Sequence, residues 1–183
     1  EANSYSEEVR RIINENYGFK KLYADGLAIK VPLNVNFQIN SQIALREGIE
    51  SYDRRQGWRG AITNMSRDSD WKQKITNIKI DPTLNWKLAE IIEVANEKIK
   101  IKVLNNNNSG YIKADSIQWA LKKNIFETFK VKDIVFVKKD KDYWDLKQHP
   151  KVNGAIVVLD PHNGKVKALV GGFSFKSSEF NRA

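Results

Sequence analysis

The stretch "KIKIKVLNNNNSGYIKA" (98–114) decides the fold of the middle of this chain. Its first half alternates strictly between lysine and aliphatic residues, which is the period of a β-strand with one buried face. The lysines are Lys98, Lys100 and Lys102, and the apolar face carries Ile99, Ile101 and Val103. "NNNNSG" (105–110) predicts a flexible hairpin loop, and "GYIKA" (110–114) predicts the returning strand.

Similar short segments surround this hairpin. "KLAEIIEVAN" (87–96), "DIVFVKK" (133–139) and "DYWDLKQ" (142–148) each predict a strand, and "DSIQWALKK" (115–123) predicts a short helical link. Several short strands with one helical interruption are typical of a small closed antiparallel β-barrel of the oligonucleotide/oligosaccharide-binding (OB) type. A small β-sandwich is the alternative. The polar segment 61–77 is predicted to be irregular, as a linker or the start of a domain.

Two helices and a strand are predicted before the barrel. The first helix covers 4–18 and ends at Gly18, and a strand follows at 26–33. The second helix begins after Asn34 as N-cap and ends at Gly57. Its apolar side chains, which we expect to pack in the core, are Ile39, Ile43, Leu45, Ile49 and Tyr52.

The end of the chain predicts a β-hairpin. The apolar run 155–159 is typical of a strand that is covered on both faces, and the turn contains Asp160, Pro161 and Gly164. A ribbon of two strands is not stable alone, so the hairpin predicts a larger sheet. We expect the strand at 26–33 to complete that sheet.

Composition excludes several classes of function. The chain has 183 residues, no cysteine and a net charge of +9, so disulfides, thiolate metal sites and cysteine nucleophiles are excluded. No apolar run approaches the roughly 18 residues that span a bilayer. Residues 61–149 carry 17 basic and 12 acidic side chains, and 16 of the basic ones are lysine. Readers of bases and phosphates favour arginine, so this excess does not favour a nucleic-acid surface.

No group of residues in the sequence predicts a reaction. His149 precedes a proline and His162 lies in the hairpin turn, so neither forms a zinc-binding pair. The acidic cluster 140–145 lacks the glycine and glutamate of a calcium loop and predicts a turn between strands. Ser177 and Ser178 are not followed by the lysine of an S-x-x-K motif. We therefore predict no catalytic, cofactor-binding or metal-binding residue in this chain, and no cofactor.

The tryptophans could form a stacking platform for bases or sugars, but their spacing favours packing in the core or at its rim. They are Trp58, Trp71, Trp86, Trp119 and Trp144.

Three segments together resemble a known family. "GAIVVLDPHNGKVKALVGGFSFKSSEFNRA" (154–183) is similar to the motif G-A-L-V-A-L-D-P-x-T-G-x-V-x-A-M-V-G-G-x-D-F-x-x-S-x-F-N-R-A, which opens the transpeptidase domain of class A penicillin-binding proteins. "LNVNFQINSQIALREGIESYDRRQGWRG" (33–60) resembles their T-L-D-x-x-L-Q…A-L-R-x-G-L-x-x-Y-D-x-R-x-G-Y-R-G segment. "YWDLKQHPKVNGA" (143–155) is similar to W-x-L-x-Q-x-P-x-V-Q-G-A. The departures, Val31, Pro32 and Asn34 in place of two threonines and an aspartate, leave the fold assignment unchanged.

The resemblance implies an organisation in three parts. Residues 1–60 would connect the glycosyltransferase and transpeptidase regions, 61–149 would form the OB-like domain, and 150–183 would be the first hairpin of a truncated transpeptidase domain. The fold class is then α+β, with a small OB-like antiparallel β-barrel inserted between a helix–strand connector and a hairpin. The family's catalytic glutamate lies upstream and its S-x-x-K motif lies downstream, so this segment is expected to contain neither active site.

The resemblance also implies a function, a location and partners. The segment would be a linker and docking or spacing element of a bifunctional peptidoglycan synthase, a penicillin target on the periplasmic side of the inner membrane of a Gram-negative bacterium. Its OB-like domain would bind a periplasmic or outer-membrane lipoprotein activator or cell-wall glycan, and nucleic acid is not expected as a partner. The alternative from composition is an OB-fold protein that binds single-stranded nucleic acid.

Overall fold

The computed structural model describes residues 2–24, 26–106, 108–121 and 123–174. The chain forms two compact units. The central unit is Glu50–Lys151, and the flanking unit combines Glu1–Ile49 with Val152–Ala183. The domain limits predicted from the sequence resemblance stay a prediction.

The flanking unit begins with two helices. Helix α1 (Asn3–Ala24) is interrupted at Gly18, whose φ of 80° and ψ of 162° are not helical, so the predicted stop is a break between two helical pieces. Helix α2 (Val35–Arg55) begins as predicted, because Asn34 Oδ1 accepts a hydrogen bond from Phe37 N at 3.1 Å. It ends before Gly57, whose φ of +86° is the left-handed conformation expected of a helix-terminating glycine.

The buried side of α2 differs from the predicted apolar face. Leu45 and Ile49 are buried, but Ile39, Ile43 and Tyr52 are each nearly half exposed. The buried side is continued by polar residues, Gln38 and Ser41, at helical spacing from Leu45. Gln38 is buried because it satisfies both backbone groups of Leu169, donating to its carbonyl and accepting from its N–H at 2.9 Å each.

The C-terminal hairpin consists of β7 (Ile156–Leu159) and β8 (Val166–Val170), paired antiparallel. Its turn forms as predicted: Asp160 Oδ1 accepts a hydrogen bond from His162 N at 3.0 Å, and Gly164 has a φ of 69°.

Two predictions about this hairpin are wrong. Among the described residues the sheet has two strands, because residues 26–33 do not form a strand. The residue that follows this segment, Asn34, donates a backbone hydrogen bond to the Lys167 carbonyl of β8 at 2.8 Å. Pro32 cannot donate to a ladder and Gly26 has a φ of +66°, so this segment is poorly suited to pairing. β7 is not covered on both faces, since Val157 and Leu159 are 44% and 55% exposed.

The central unit contains a six-stranded antiparallel sheet. Its strands are β1 (Thr63–Asn64), β2 (Trp86–Val94), β3 (Lys98–Val103), β4 (Ser109–Lys113), β5 (Asp133–Asp140) and β6 (Tyr143–Lys147). The order is β1-β5-β2-β3-β4, and β6 pairs with β5. The five longer strands were all predicted, and their order is that of an OB fold, with the helical link between its third and fourth strands.

Helical segments connect these strands. The predicted link is a 3₁₀ helix, Ala114–Ala120, followed by the short helix α4 (Ile125–Thr128). The prediction that 61–77 is irregular is wrong in part, because it contains β1 and helix α3 (Trp71–Thr76). Lys74 of α3 pairs with Asp70 and Asp68, and such local charge pairs are not visible as apolar periodicity.

The sheet is not closed into a barrel by hydrogen bonds, which corrects the expectation of a closed barrel. No ladder joins β4 to β6 among the residues that the structure describes. Instead the indole of Trp144 lies against Gly110, where an added Cβ would meet Trp144 Nε1 at 2.3 Å. The inner face of the sheet is buried, and Ile117 of the 3₁₀ helix is buried in the same core. The fully buried side chains that the strands contribute are Ile91, Ile99, Ile101, Val103, Ile112, Val135, Val137 and Leu146.

Candidate functional site

The two ends of the central unit meet at one carboxylate. Asp53, on the last turn of α2, is 3% exposed and accepts hydrogen bonds from both terminal nitrogens of Arg59, at 3.0 and 2.8 Å. It also accepts from Gln148 Nε2 at 2.8 Å and from Lys151 N at 3.1 Å. We call these four residues the Asp53 junction. It joins the segment where the chain enters the central unit to the segment where it leaves.

Further contacts strengthen the Asp53 junction. Arg59 also donates to the His149 carbonyl at 2.7 Å, and its own N–H donates to Gln148 Oε1 at 2.9 Å. Gln148 donates to the Gly57 carbonyl at 3.2 Å. Arg59 is therefore bidentate on a carboxylate and bonded to backbone at the same time, a geometry that suits a planar guanidinium and that lysine could not reproduce.

A second set of ion pairs lies beside the junction. Lys147, on β6, bonds Glu50 at 2.6 Å and Asp145 at 3.1 Å, and Arg54 bonds Asp145 at 3.0 Å. The guanidinium of Arg54 lies 5.1 Å from the ring centre of Trp119. The last turn of α2 is thus attached to β6 by charged groups that are largely removed from solvent.

The electrostatics of Asp53 favour its charged form. Burial raises the pKa of this carboxyl, but the hydrogen bonds from Arg59, Gln148 and the Lys151 amide outweigh burial, so the pKa lies below its ordinary value. Asp53 is therefore ionised at neutral pH, and the junction is a salt bridge rather than a neutral hydrogen-bond cluster.

The lysine face predicted on β3 is present but interrupted by acidic neighbours. On the β2 side, Lys102 lies opposite Glu90 and Lys100 lies opposite Glu93 in the strand register. On the β4 side, Lys98 lies opposite Lys113. Opposite charges across a strand pair offset one another, so most of this face is not a continuous cationic track.

A groove of about 280 Å³ lies beside the turn between β5 and β6. It is lined by Lys113, Ser116, Asp140, Lys141, Asp142, Tyr143, Trp144 and Asp145. The predicted turn at 140–145 is confirmed, since β5 ends at Asp140 and β6 begins at Tyr143. Lys113 Nζ lies 3.8 Å from the centre of the Tyr143 ring, which forms one wall of the groove.

The other residues considered from the sequence have structural surroundings. Trp58, Trp86 and Trp144 are buried, and Trp119 packs at the edge of the core, which confirms core or rim packing for these four. The His149 ring packs edge-on against Trp86. Ser177 and Ser178 lie outside the described residues. Within the described ranges, no set of three histidine, aspartate or glutamate side chains is arranged to hold a metal ion. The expectation of no catalytic residue stays a prediction.

The Asp53 junction was not predicted, although the sequence held a signal for it. In the Y-D-x-R-x-G-Y-R-G segment quoted above, Asp53 occupies the D and Arg59 occupies the second R. Gln148 occupies the Q of W-x-L-x-Q-x-P. The two segments are far apart in the chain but meet in space. Each motif contributes its own polar residues, so the contact could be predicted only by considering the two motifs together.

Comparisons with known proteins agree with this fold. The family described as "Penicillin-binding protein OB-like domain" matches residues 58–152. The chain is 35% identical over 178 residues to penicillin-binding protein 1A of Rickettsia typhi, covering 96% of this chain and 22% of that protein. It is 31% identical over 194 residues to penicillin-binding protein 1A of Escherichia coli K12, covering 97% and 23%.

A solved structure gives the same result. The crystal structure of penicillin-binding protein 1A from Haemophilus influenzae matches with a TM-score of 0.76 at 26% identity, over 100% of this chain and 27% of that one. The chain spans less than a quarter of the length of the penicillin-binding proteins 1A of Rickettsia typhi and Escherichia coli. Among the described residues, no helix combines the length and apolar character needed to cross a bilayer.

Proposed function

Because this chain belongs to the penicillin-binding proteins that carry an OB-like domain, we propose that it is a non-catalytic connecting, docking and spacing segment of a bifunctional peptidoglycan synthase. The Asp53 junction is the observation that carries this proposal. A domain inserted into another fold must leave and rejoin the host chain at neighbouring points. Arg59 lies near the start of the insertion and Gln148 near its end, and both bond the buried carboxylate of Asp53. The two ends of the central unit are therefore neighbours, as an inserted domain requires.

The chemistry of the parent enzyme is part of the same proposal. The resemblance to class A penicillin-binding proteins supports a parent that polymerises glycan strands and cross-links their peptides through an acyl-enzyme that β-lactams block. Both reactions would take place outside this segment, which would lie on the periplasmic side of the inner membrane of a Gram-negative bacterium. The parent would supply the membrane anchor and both active sites.

We propose that the OB-like unit docks a periplasmic or outer-membrane lipoprotein that activates the parent. The solvent-exposed faces of β3 and β4 would be available for such a partner, since the inner faces are used for the core. The alternative, a single-stranded nucleic acid, is disfavoured by the glutamates that lie opposite Lys100 and Lys102. Glutamates at these positions would repel a phosphate backbone.

The full-length parent offers a direct test. Residues 58–150 are replaced by a short glycine–serine linker, which can bridge the gap if the two ends are adjacent, as the Asp53 junction indicates. We expect the shortened enzyme to be acylated by a fluorescent penicillin at the normal rate, but to lose stimulation by its activating lipoprotein. A thermal melt of the remaining domains controls for misfolding.

Two outcomes would contradict the proposal. One is loss of acylation in a shortened enzyme that still melts normally, which would mean that the segment contributes to the transpeptidase reaction. The other is covalent labelling of the 183-residue chain by the penicillin, which would mean that it contains a nucleophile of its own. We expect the 183-residue chain to stay unlabelled, and a chain extended past Ala183 through the serine motif to be labelled.

A further inference from the structure

Two asparagines of this chain precede a glycine: Asn153 lies before strand β7, and Asn163 lies in the turn of the C-terminal hairpin. Asparagine is chemically labile, because the amide nitrogen of the following residue can attack the side-chain carbonyl carbon, Cγ. A following glycine has no Cβ to hinder that attack. From the sequence alone the two sites would be equally reactive, but their surroundings in the folded chain differ.

The geometry at Asn153 favours the attack. The Gly154 amide nitrogen lies 3.0 Å from Asn153 Oδ1, so it is already close to Cγ, the atom to which Oδ1 is bonded. Phe173 N also donates to Oδ1, at 2.8 Å. Negative charge develops on Oδ1 as the new bond forms, and the Phe173 N–H is placed to stabilise that charge, as the donors of an oxyanion hole do.

Asn153 also meets the other requirements of the reaction. Its side chain is exposed, so water can reach a reaction intermediate. Two backbone N–H groups bind Oδ1, which fixes the orientation of the side-chain amide. Among the residues that the structure describes, no acceptor binds Nδ2, so ammonia can leave without breaking a hydrogen bond to the protein.

Asn163 is held in a different way. The Gly164 amide donates to the Asp160 carbonyl at 2.8 Å, so its N–H is directed at Asp160. Asn163 Nδ2 donates to Asp160 Oδ2 at 3.0 Å, and its Oδ1 accepts from Lys165 N at 3.0 Å. The attacking nitrogen and the leaving group are both restrained by Asp160, and the reaction must first break these bonds. Folding therefore protects Asn163 and leaves Asn153 reactive.

We propose that Asn153 is a site of spontaneous deamidation. The Gly154 nitrogen loses its proton to solvent base and bonds to Cγ, and the Cγ–Nδ2 bond breaks with release of ammonia, which takes a proton from water. Water then opens the succinimide ring. Its attack at Cγ gives aspartate, whereas its attack at the backbone carbonyl carbon gives isoaspartate, whose main chain runs through Cγ and is longer by a methylene group. The reaction is separate from the proposed function of the parent.

The modification would act on the open end of the C-terminal hairpin. The β7–β8 ladder pairs Ile156 with Val170, and the same register continued by three residues places Asn153 opposite Phe173. The hydrogen bond from Phe173 N to Asn153 Oδ1 thus closes this end of the hairpin. Aspartate keeps an acceptor at this place. Isoaspartate moves Oδ1 into a lengthened main chain, so this hydrogen bond is lost.

Peptide mapping of the 183-residue chain by tandem mass spectrometry tests the proposal. Trypsin cleaves after Lys151 and Lys165, so both asparagines lie in one peptide and their conversion is compared within the same molecule. The folded chain, and the chain unfolded in guanidinium chloride, are kept in mildly alkaline buffer. We expect similar rates at the two sites in the unfolded chain. In the folded chain Asn153 should convert about tenfold faster than Asn163, which must first break its hydrogen bonds.

Variants assign the reaction and its consequence. Asn153→Gln should not convert, because its imide needs a larger ring that forms more slowly, and Asn163 should react at an unchanged rate. Hydrogen exchange of the Phe173 amide should be about tenfold faster in the purified isoaspartate form, because one hydrogen bond is lost. Asn153→Asp keeps the acceptor and should leave this exchange unchanged.

Several results would overturn the inference. They are similar rates at the two asparagines of the folded chain, faster conversion of Asn163 than of Asn153, or no conversion of folded Asn153 over a time in which the unfolded chain converts. Unchanged exchange of the Phe173 amide in the isoaspartate form would refute the role of Asn153 in closing the hairpin.

Discussion

The central and flanking units are stabilised in different ways. The central unit has a continuous core of side chains that are fully buried, most of them isoleucine and valine on the inner face of the sheet. The flanking unit buries fewer apolar side chains and leaves many at least 39% exposed, among them Phe19, Val31, Val35 and Leu159. Its helices are instead bonded to the backbone of the hairpin, as Tyr5 is to the Val166 carbonyl. Burial therefore dominates one unit, and side-chain-to-backbone hydrogen bonds are prominent in the other.

This difference can be measured because all tryptophans of the chain lie between Trp58 and Trp144, inside the central unit. Tryptophan fluorescence therefore reports unfolding of that unit alone. Far-UV circular dichroism also reports the helices of the flanking unit. Urea unfolding followed by both signals separates an effect on one unit from an effect on the other.

The largest expected effect is in the central core. Ile101 is 0% exposed, so Ile101→Ala should lower the free energy of unfolding seen by fluorescence by about 3 to 4 kcal/mol. Ile92 is 37% exposed, and Ile92→Ala should lower it by less than about 1 kcal/mol. Equal effects of the two variants would mean that burial in this sheet is not the main source of stability.

The next largest effect is at the Asp53 junction. Asp53→Ala removes one partner of a largely buried ion pair and leaves Arg59 and Gln148 without their acceptor, which should cost about 3 kcal/mol in the fluorescence transition. Asp142→Ala removes an exposed carboxylate of the same unit and should change the stability by no more than about 0.5 kcal/mol. A loss at Asp53 no larger than at Asp142 would refute a structural role for the junction.

Two glycine substitutions should act in opposite directions. Gly110→Ala places a methyl group 2.3 Å from Trp144 Nε1 and should cost about 2 kcal/mol in the central unit. Gly48, in helix α2, has no atom within 4 Å of an added Cβ, so Gly48→Ala should stabilise that helix by about 0.5 to 1 kcal/mol. A neutral Gly110→Ala would show that β4 and β6 can separate freely at this contact.

The same contrast explains which features could be predicted from the sequence. The five longer strands of the central unit were predicted to within two residues because alternation is a local property that burial on one face imposes, whereas the two-residue strand β1 is too short to show it. The strand at 26–33 was wrongly predicted because its apolar residues alternate, whereas pairing requires a partner edge and backbone donors. The Asp53 junction escaped prediction because its polar residues have no period and lie far apart in the chain.

A smaller effect is expected in the flanking unit at Gln38. Its side chain makes two hydrogen bonds with the backbone of Leu169, so Gln38→Ala leaves a buried donor and acceptor without partners. A local loss of about 1.4 kcal/mol should make hydrogen exchange of the Leu169 amide about tenfold faster. Asn40→Ala, on the exposed side of α2, is the control, and the fluorescence transition should not change in either variant. If Gln38→Ala destabilises the fluorescence transition, the two units do not unfold independently.

The pH dependence of the central unit should follow from Asp53. The pKa of this carboxyl is lower in the folded chain than in the unfolded one, so its contribution to the stability of the folded chain is complete above the unfolded pKa. That contribution is lost as the pH falls from about 5 through the unfolded aspartate value of about 3.9 and then through the lower folded value. We therefore expect the free energy of unfolding, measured by fluorescence, to fall more steeply with decreasing pH in the wild-type chain than in Asp53→Asn. Asp142→Asn, which alters an exposed carboxyl, should keep the wild-type slope. Parallel slopes for all three proteins would mean that the hydrogen bonds to Asp53 do not favour its charged form, and that the junction contributes through packing rather than charge.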